Sequence, residues 1–348
     1  NYKCYNNYCN NCNNKGGEKM AETSDVRQEN TTKIKRLLYS GKEYTKLDIT
    51  RMTGLSQGTC NTLLNQLESS GEVICRQERI RSTGRSSSVY RMNEEFRFYL
   101  CVIFDVRDGV KSLCLSVVTP LGNIRCSEKI QLDMIKPDDI VRAVVRYISN
   151  YPAISKIVFG VPGIVKDGVI THCDIEELDG TDIPALMLTE TSLPVLTGND
   201  MHLKAYGYYC SENNSDSIVT IAFFPENILP GTASIHRGEV ICGSTGLAGM
   251  TAFLPYDFDR QKQLSMLNHR DCMPIIVSNL ASIITMINPG KIILTGGLIT
   301  AEKLPEIHSL CAKYIPQEHM PEFIYDPDPD KYYVYGMYRR AIQEETND

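Results

Sequence analysis

No stretch of this 348-residue chain approaches the roughly 18 consecutive apolar residues that a bilayer-spanning helix needs, so a membrane-embedded protein is not expected. Overall positive charge is also missing. Acidic residues outnumber basic ones, 42 to 36, for a formal net of -6, which argues against a chain that binds nucleic acid along its whole length. No secretory signal is read at the N-terminus, and most of the thirteen cysteines stand singly in apolar stretches, as Cys101, Cys114 and Cys311 do. Free thiols in a soluble, cytoplasmic protein are therefore expected, rather than a disulfide framework. The one tight cysteine group, Cys4, Cys9 and Cys12, has a zinc-knuckle spacing in its last two members. It supplies only three thiols and lies among asparagines of low-complexity type, so no metal and no other cofactor is expected.

What is present is unevenly placed. Residues 21–93 carry a net of +4, residues 1–20 a net of +2, and residues 94–348 the remaining -12. Residues 1–20 read as a low-complexity tail. Within it, Lys15-Gly16-Gly17-Glu18-Lys19-Met20 is what a purine-rich ribosome-binding site ahead of a start codon would encode in frame. Residues 1–19 are therefore expected to be a mis-called gene start, which peptide mapping of the native N-terminus tests. A basic front, 21–93, and an acidic bulk, 94–348, divide the rest.

In the front, Ile34, Leu37 and Leu38 share one face of a helix predicted from about Val26 to Ser40, with Arg27, Lys33, Lys35 and Arg36 elsewhere on it. Thr45 and Asp48 predict a capping box for a second helix with Ile49 and Met52 at helical spacing, ended by Gly54. Ser56 then caps a third helix whose stripe is Cys60, Leu63, Leu64 and Leu67. Its outer face holds Gln57, Gly58, Asn61, Thr62 and Asn65. Such short amides and hydroxyls suit a helix lying in a major groove, or equally a solvated helix of a three-helix bundle. The following segment decides between them. Val73-Ile74-Cys75 and Val89 to Met92 read as two strands joined by Arg76, Arg79, Arg81, Thr83, Gly84, Arg85 and several serines, a basic wing suited to phosphates or a narrow minor groove. The expectation is a winged helix-turn-helix with double-stranded DNA as partner, contacted through Ser56, Gln57, Gly58, Asn61, Thr62 and Asn65 and, from the wing, Arg81, Thr83, Gly84 and Arg85.

After Glu95 strands alternate with helices: strands at Tyr99 to Val106 and Ser112 to Thr119, a helix from Pro137 to Asn150, and a strand at Lys156 to Val161. The alternation continues with strands at Ile218 to Phe224 and Gly231 to Cys242, a helix from Met273 to Ile287, a strand at Lys291 to Thr295 and a last helix near Tyr338 to Glu344. This is an α/β pattern with room for two lobes.

Three segments in this body carry a family resemblance. Gly160-Val161-Pro162-Gly163-Ile164-Val165, then Pro194-Val195 with Gly198-Asn199-Asp200, then Pro289-Gly290-Lys291-Ile292-Ile293-Leu294-Thr295-Gly296-Gly297 resemble, in that order, motifs of the ROK family of repressors, open reading frames and sugar kinases. Thr53-Gly54-Leu55-Ser56 and Gly84-Arg85 are similar to its repressor branch. The resemblance implies an actin-like, ribonuclease-H-like duplicated fold of two lobes, a homodimer or homotetramer, and a carbohydrate-like effector. The departures from the kinase pattern are as informative. The family's Asp-x-Gly-Gly-Thr phosphate loop is matched by Asp105-Val106-Arg107-Asp108-Gly109-Val110, without the glycines that admit a phosphate and with Asp108 to repel it. Its second glycine loop falls at Phe224 to Pro230, where two prolines lack amide donors and Glu226 adds like charge. The sugar-binding Glu and His of the family are matched by Met250 and Phe253, and no cysteine follows between Leu254 and Leu267 to hold its zinc. Neither His236 nor His269 shows ligand spacing.

Asp200, matching the family's general base, has three readings: a hydrogen bond to a bound ligand, a turn or cap, and catalysis. Gly296-Gly297 reads either as a tight turn or as a nucleotide contact. The candidate ligand residues are Gly163, Asn199, Asp200, Met250 and Phe253. The leading expectation is a repressor with a catalytically inactive kinase-like body and no enzyme activity. A sugar kinase with a fused DNA-binding domain and a ligand-free dimerisation scaffold are the alternatives.

Overall fold

The computed structural model describes residues 23–79, 86–107, 109–212, 216–328 and 330–346. In the head, α1 (Thr23–Leu38) is followed by a two-residue strand β1 (Tyr44–Thr45), α2 (Lys46–Thr53) and α3 (Gln57–Ser69). The predicted capping box is formed: the Thr45 hydroxyl accepts from the Asp48 amide at 3.2 Å and the Asp48 carboxylate accepts from the Thr45 amide at 3.0 Å. Gly54 ends α2 at φ +70, a left-handed conformation that favours glycine. Ile34, Leu38, Ile49, Cys60 and Leu64 close the head core. Met52, although at helical spacing from Ile49, is 60% exposed, because eight residues give α2 only one buried position. The hairpin is longer than its apolar ends suggest, with β2 (Val73–Arg79) and β3 (Ser86–Met92) paired over seven residues and β1 added beside β3.

The body is built twice from one plan. In the first lobe β4 (Phe98–Arg107), β5 (Val110–Val118) and β6 (Ile124–Leu132) form a meander, α4 (Pro137–Asn150) crosses to β7 (Ile154–Val161), a small hairpin β8 (Ile164–Lys166) and β9 (Val169–Thr171) and α5 (Ile183–Leu188) follow, and β10 (Val195–Asn199) completes the sheet. Its order is β10-β7-β4-β5-β6. After α6 (Asp200–Ser211), the second lobe repeats this with β11 (Val219–Phe223), β12 (Gly231–His236), β13 (Glu239–Val240), α7 (Arg260–Met266), α8 (Met273–Ile287), β14 (Lys291–Thr295), α9 (Leu304–Cys311) and β15 (Glu322–Tyr325), in the order β13-β12-β11-β14-β15. Both sheets pair their first three strands antiparallel and the remainder parallel. The segment expected as one strand from Gly231 to Cys242 is instead a hairpin, since Arg237 and Gly238 at φ 52 and 82 supply the turn. The last helix, α10 (Tyr333–Thr346), begins well before the predicted Tyr338.

The two lobes exchange their final helices. Met201, Ala205 and Tyr208 of α6 pack on β11 and β12, and Met337, Ala341 and Ile342 of α10 pack on Tyr99, Cys101 and Val158 of the first lobe. The helices cross where Gly207 faces Gly336. A Cβ on Gly336 would stand 1.9 Å from the Leu203 carbonyl oxygen, so the contact is backbone on backbone and admits only glycine.

Head and body meet at the C-terminal end of α10. Glu345 accepts from Tyr39 at 2.6 Å, Arg97 at 2.9 Å and Tyr99 at 3.1 Å, while Arg97 and Lys35 both reach Glu72 of the head, at 3.0 and 2.8 Å. Arg36 donates through Nε to the Thr346 carbonyl at 2.7 Å, and Leu121 inserts into the head core. No helix among the described residues is long and apolar enough to cross a membrane.

Candidate functional site

Two places deserve description as sites: the outer face of α3 and the cleft between the lobes. On α3 the four buried side chains Cys60, Leu63, Leu64 and Leu67 turn one stripe inward, which leaves Gln57, Gly58, Asn61, Thr62 and Asn65 exposed on the other. Ser56 is exposed at the N-cap, its hydroxyl accepting from the Thr59 amide at 3.1 Å. The first turn carries no acidic residue, so the positive end of the helix dipole is uncancelled. Thr62 donates back to the Gly58 carbonyl at 3.1 Å. Arg76, counted in the wing from sequence, belongs to β2 and pairs with Glu43. Arg81, Thr83, Gly84 and Arg85 lie outside the described residues, as do Cys4, Cys9, Cys12 and Asp108.

In the cleft, parallel pairing of β7 with β10 brings the turn after β7 beside the start of α6. Asn199 is buried there and both ends of its amide are used: Nδ2 donates to the Gly163 carbonyl at 2.8 Å, and Oδ1 accepts from the His202 amide at 3.0 Å as the N-cap of α6. Gly163 is needed because a Cβ would meet the Cys173 backbone at 2.8 Å. Asp200 opens the first turn of α6, 3.6 Å from the ammonium of Lys204, which stands 3.4 Å from Asp330 and lies over the rings of Phe223 and Tyr333. Burial raises the Asp200 carboxyl, and Lys204 opposes it. At Asp330 burial acts in the same direction but Lys204 and Arg107 outweigh it, holding the group below the usual carboxylate range. Asp174 opens to solvent inside the cleft yet has protein on most sides. Its carboxyl is pushed up to about 7, first by burial and then by Asp200, against the pull of Arg260. Met250 and Phe253 sit at the turn before α7, with Phe253 43% exposed, edge-on to His172 of the first lobe and beneath the Arg260 guanidinium.

The segments expected to match the phosphate loops carry acidic side chains that are bound by neighbouring parts of the chain. β4 and β5 run to Arg107 and Val110 as a tight hairpin, in which Asp105 is bound by Arg107 and by Lys129 at 3.1 Å each, and Arg107 reaches across to Asp330. At Phe224 to Pro230, the Glu226 carboxylate pairs with His269 at 2.9 Å. Gly296, at φ 101, brings the chain so near that a Cβ would stand 2.5 Å from the Phe224 carbonyl oxygen, which a tight turn explains. No cluster of His, Cys, Asp and Glu suited to a metal is found among the described residues. Sequence reasoning missed Asp174, Lys204, Arg260 and Asp330. Lys204 was findable, one helical turn after Asp200 on a helix with an Asn cap; Asp174 and Asp330 arrive on distant loops and Arg260 at the start of α7.

No family model matches the chain, and no curated protein sequence matches it. Among solved structures it is similar to a ROK family transcriptional regulator described as a homolog of the E. coli MLC protein, with a TM-score of 0.65 at 14% identity over 92% of this chain and 98% of that one. It is also similar to the ROK hexokinase of Thermus thermophilus, with a TM-score of 0.55 at 12% identity over 71% and 99%, and to a ROK family protein of Streptococcus pneumoniae in complex with sucrose, with a TM-score of 0.53 at 18% identity over 72% and 100%. Covering 92% of this chain requires more than the two lobes can supply. The fold of this chain is therefore the two-sheet, actin-like fold of the ROK proteins, regulator and hexokinase alike.

Proposed function

We propose that the protein is a DNA-binding transcriptional regulator of repressor type, with a winged helix-turn-helix head and ROK-type lobes that serve oligomerisation and small-molecule sensing rather than sugar phosphorylation. The observation that carries this reading is the outer face of α3, whose exposed side chains from Ser56 to Gln66 are amides and hydroxyls around an acid-free helix N-terminus, with Glu68 in the last turn. Amides pair with adenine edges, hydroxyls serve either base, and the helix end receives a backbone phosphate. Arg81, Thr83, Gly84 and Arg85 extend the contact into the adjacent groove. Two heads of a homodimer or homotetramer read paired half-sites, and an effector bound near Gly163, Asn199, Asp200, Met250 and Phe253 changes their spacing only through unequal affinity for two arrangements.

The placement of Asp200 at the start of α6, with its carboxyl raised by burial, favours a second reading, a sugar kinase with a fused head. Against it stand the ion pairs that occupy the Asp105 hairpin and the hydrogen bond between Glu226 and His269 in the second loop. A coupled assay with ATP and a panel of hexoses separates the two. The regulator reading expects no turnover, together with retention of discrete source-genome DNA fragments by the full-length protein. Turnover that disappears in Asp200→Asn would replace it.

A further inference from the structure

We propose that α10 is the element that couples the inter-lobe cleft to the head, so that the state of the charge cluster around Asp200 and Asp330 sets how firmly the head is held. The two ends of the helix stand at those two places. It rises about 21 Å over its 14 residues. At its start the Tyr333 amide donates to the Asp330 carbonyl at 2.9 Å, and the Asp330 carboxylate is bound by Lys204 and Arg107. Lys204 belongs to α6, one turn after Asp200, and its ammonium lies over the Tyr333 ring. The Tyr333 hydroxyl is buried with no hydrogen-bond partner among the described residues, so Asp330 and Lys204 carry the polar hold on this end. In the middle, α6 and α10 touch backbone to backbone at Gly207 and Gly336, a crossing without slack, so a shift of one helix is passed to the other. At the far end α10 supplies Glu345 to Tyr39 of the head and to Arg97, and the Thr346 carbonyl to Arg36. It also fixes Leu121, the body residue set into the head core, because the Tyr338 hydroxyl donates to the adjacent Pro120 carbonyl at 2.6 Å. One helix thus makes or positions each of these contacts with the head while starting on a charge cluster in the cleft. A ligand that changes the partners of Asp200 or Lys204 binds two placements of α10 unequally, which is the condition for coupling.

The coupling is independent of the regulator reading; its effect on DNA affinity rests on it. The test is hydrogen–deuterium exchange of the full-length protein, read in both directions. In Asp330→Asn, amides of residues 35–41 and 97–99 are expected to exchange roughly threefold faster or more, with residues 292–294 of the second-lobe core unchanged. In Glu345→Gln, residues 200–204 and 331–336 are expected to speed up in turn, since coupling is reciprocal. Glu128→Gln, which removes a carboxylate of the edge strand β6 bound by Arg146 and Tyr147, is expected to leave both regions as in wild type. A change confined to the mutated end in either variant overturns the proposal. Should Asp330→Asn lose its circular-dichroism signature, Glu345→Gln alone decides, because it leaves the charge cluster of the cleft intact. Affinity for a selected DNA fragment is expected to change about fivefold or more in Asp330→Asn, read by fluorescence anisotropy. Exchange that spreads along α10 in a protein that holds no DNA would uphold the coupling and refute the regulator reading. DNA binding with exchange confined to the mutated end would refute the coupling alone.

Discussion

Asn199 stands beside the residue matching a general base, yet its amide holds the fold. One end caps α6 and the other ties down the Gly163 turn. Asn199→Ala is expected to lose about 1 kcal/mol with the cap and a further ~1–3 kcal/mol from leaving the Gly163 carbonyl without its donor, read as a lower denaturation midpoint. Asp174 gives a pH signature. Its folded carboxyl, at about 7, takes up protons more readily than the ordinary value of 3.8, so its ionisation lowers stability as pH rises through that window. Buried His202, lowered to about 4 from 6.5, acts in the opposite sense, losing stability as pH falls. The difference between Asp174→Asn and wild type isolates the first effect: the melting temperature of the variant should gain on wild type from pH 4 to pH 7 and stay constant above about 8. A difference that does not vary with pH would remove Asp174 from this account. The Asn199-Asp200 pair was legible from sequence because it is local. Asp174, Arg260 and Asp330 were not: Asp174 is brought near by a distant loop of the first lobe, and Arg260 and Asp330 come from the second-lobe half of the sequence.

At the scale of elements, strong periodicity was enough for α4, α8 and β14, whose observed bounds are those the apolar pattern predicts. It failed at Gly231 to Cys242, where apolar alternation continues through a two-residue turn that Arg237, a residue with no special turn preference, helps to form. It also gave no sign that α6 and α10 trade lobes, because a glycine inside a helix reads as a weakness until its neighbour is known. Gly336→Ala forces a methyl group onto the Leu203 carbonyl. It is expected to cost about 3 kcal/mol or more, measured by chemical denaturation, whereas the usual exchange of glycine for alanine in a helix is favourable by ~1 kcal/mol. A stabilised variant would mean that the two helices do not cross so closely.

For the whole molecule, the head is held by partly buried polar contacts centred on Glu345. Glu345→Ala strips the acceptor from Arg97, Tyr39 and Tyr99 at once, a loss of about 1–3 kcal/mol at the junction. The lobes should keep their melting transition while trypsin cleaves near Arg97 severalfold faster; an unchanged digestion rate would show that packing around Leu121 alone secures the head. The lobes carry the fold shared with regulator and kinase, so the head decides between those activities. The most direct measurement is equilibrium binding of a DNA fragment selected from the source genome, set against a scrambled fragment, for wild type, Gln57→Ala and Asn61→Ala. The account predicts preference for the selected fragment in wild type and a loss of about 1–3 kcal/mol of that preference in each variant. Equal binding of both fragments by the wild-type protein would contradict it.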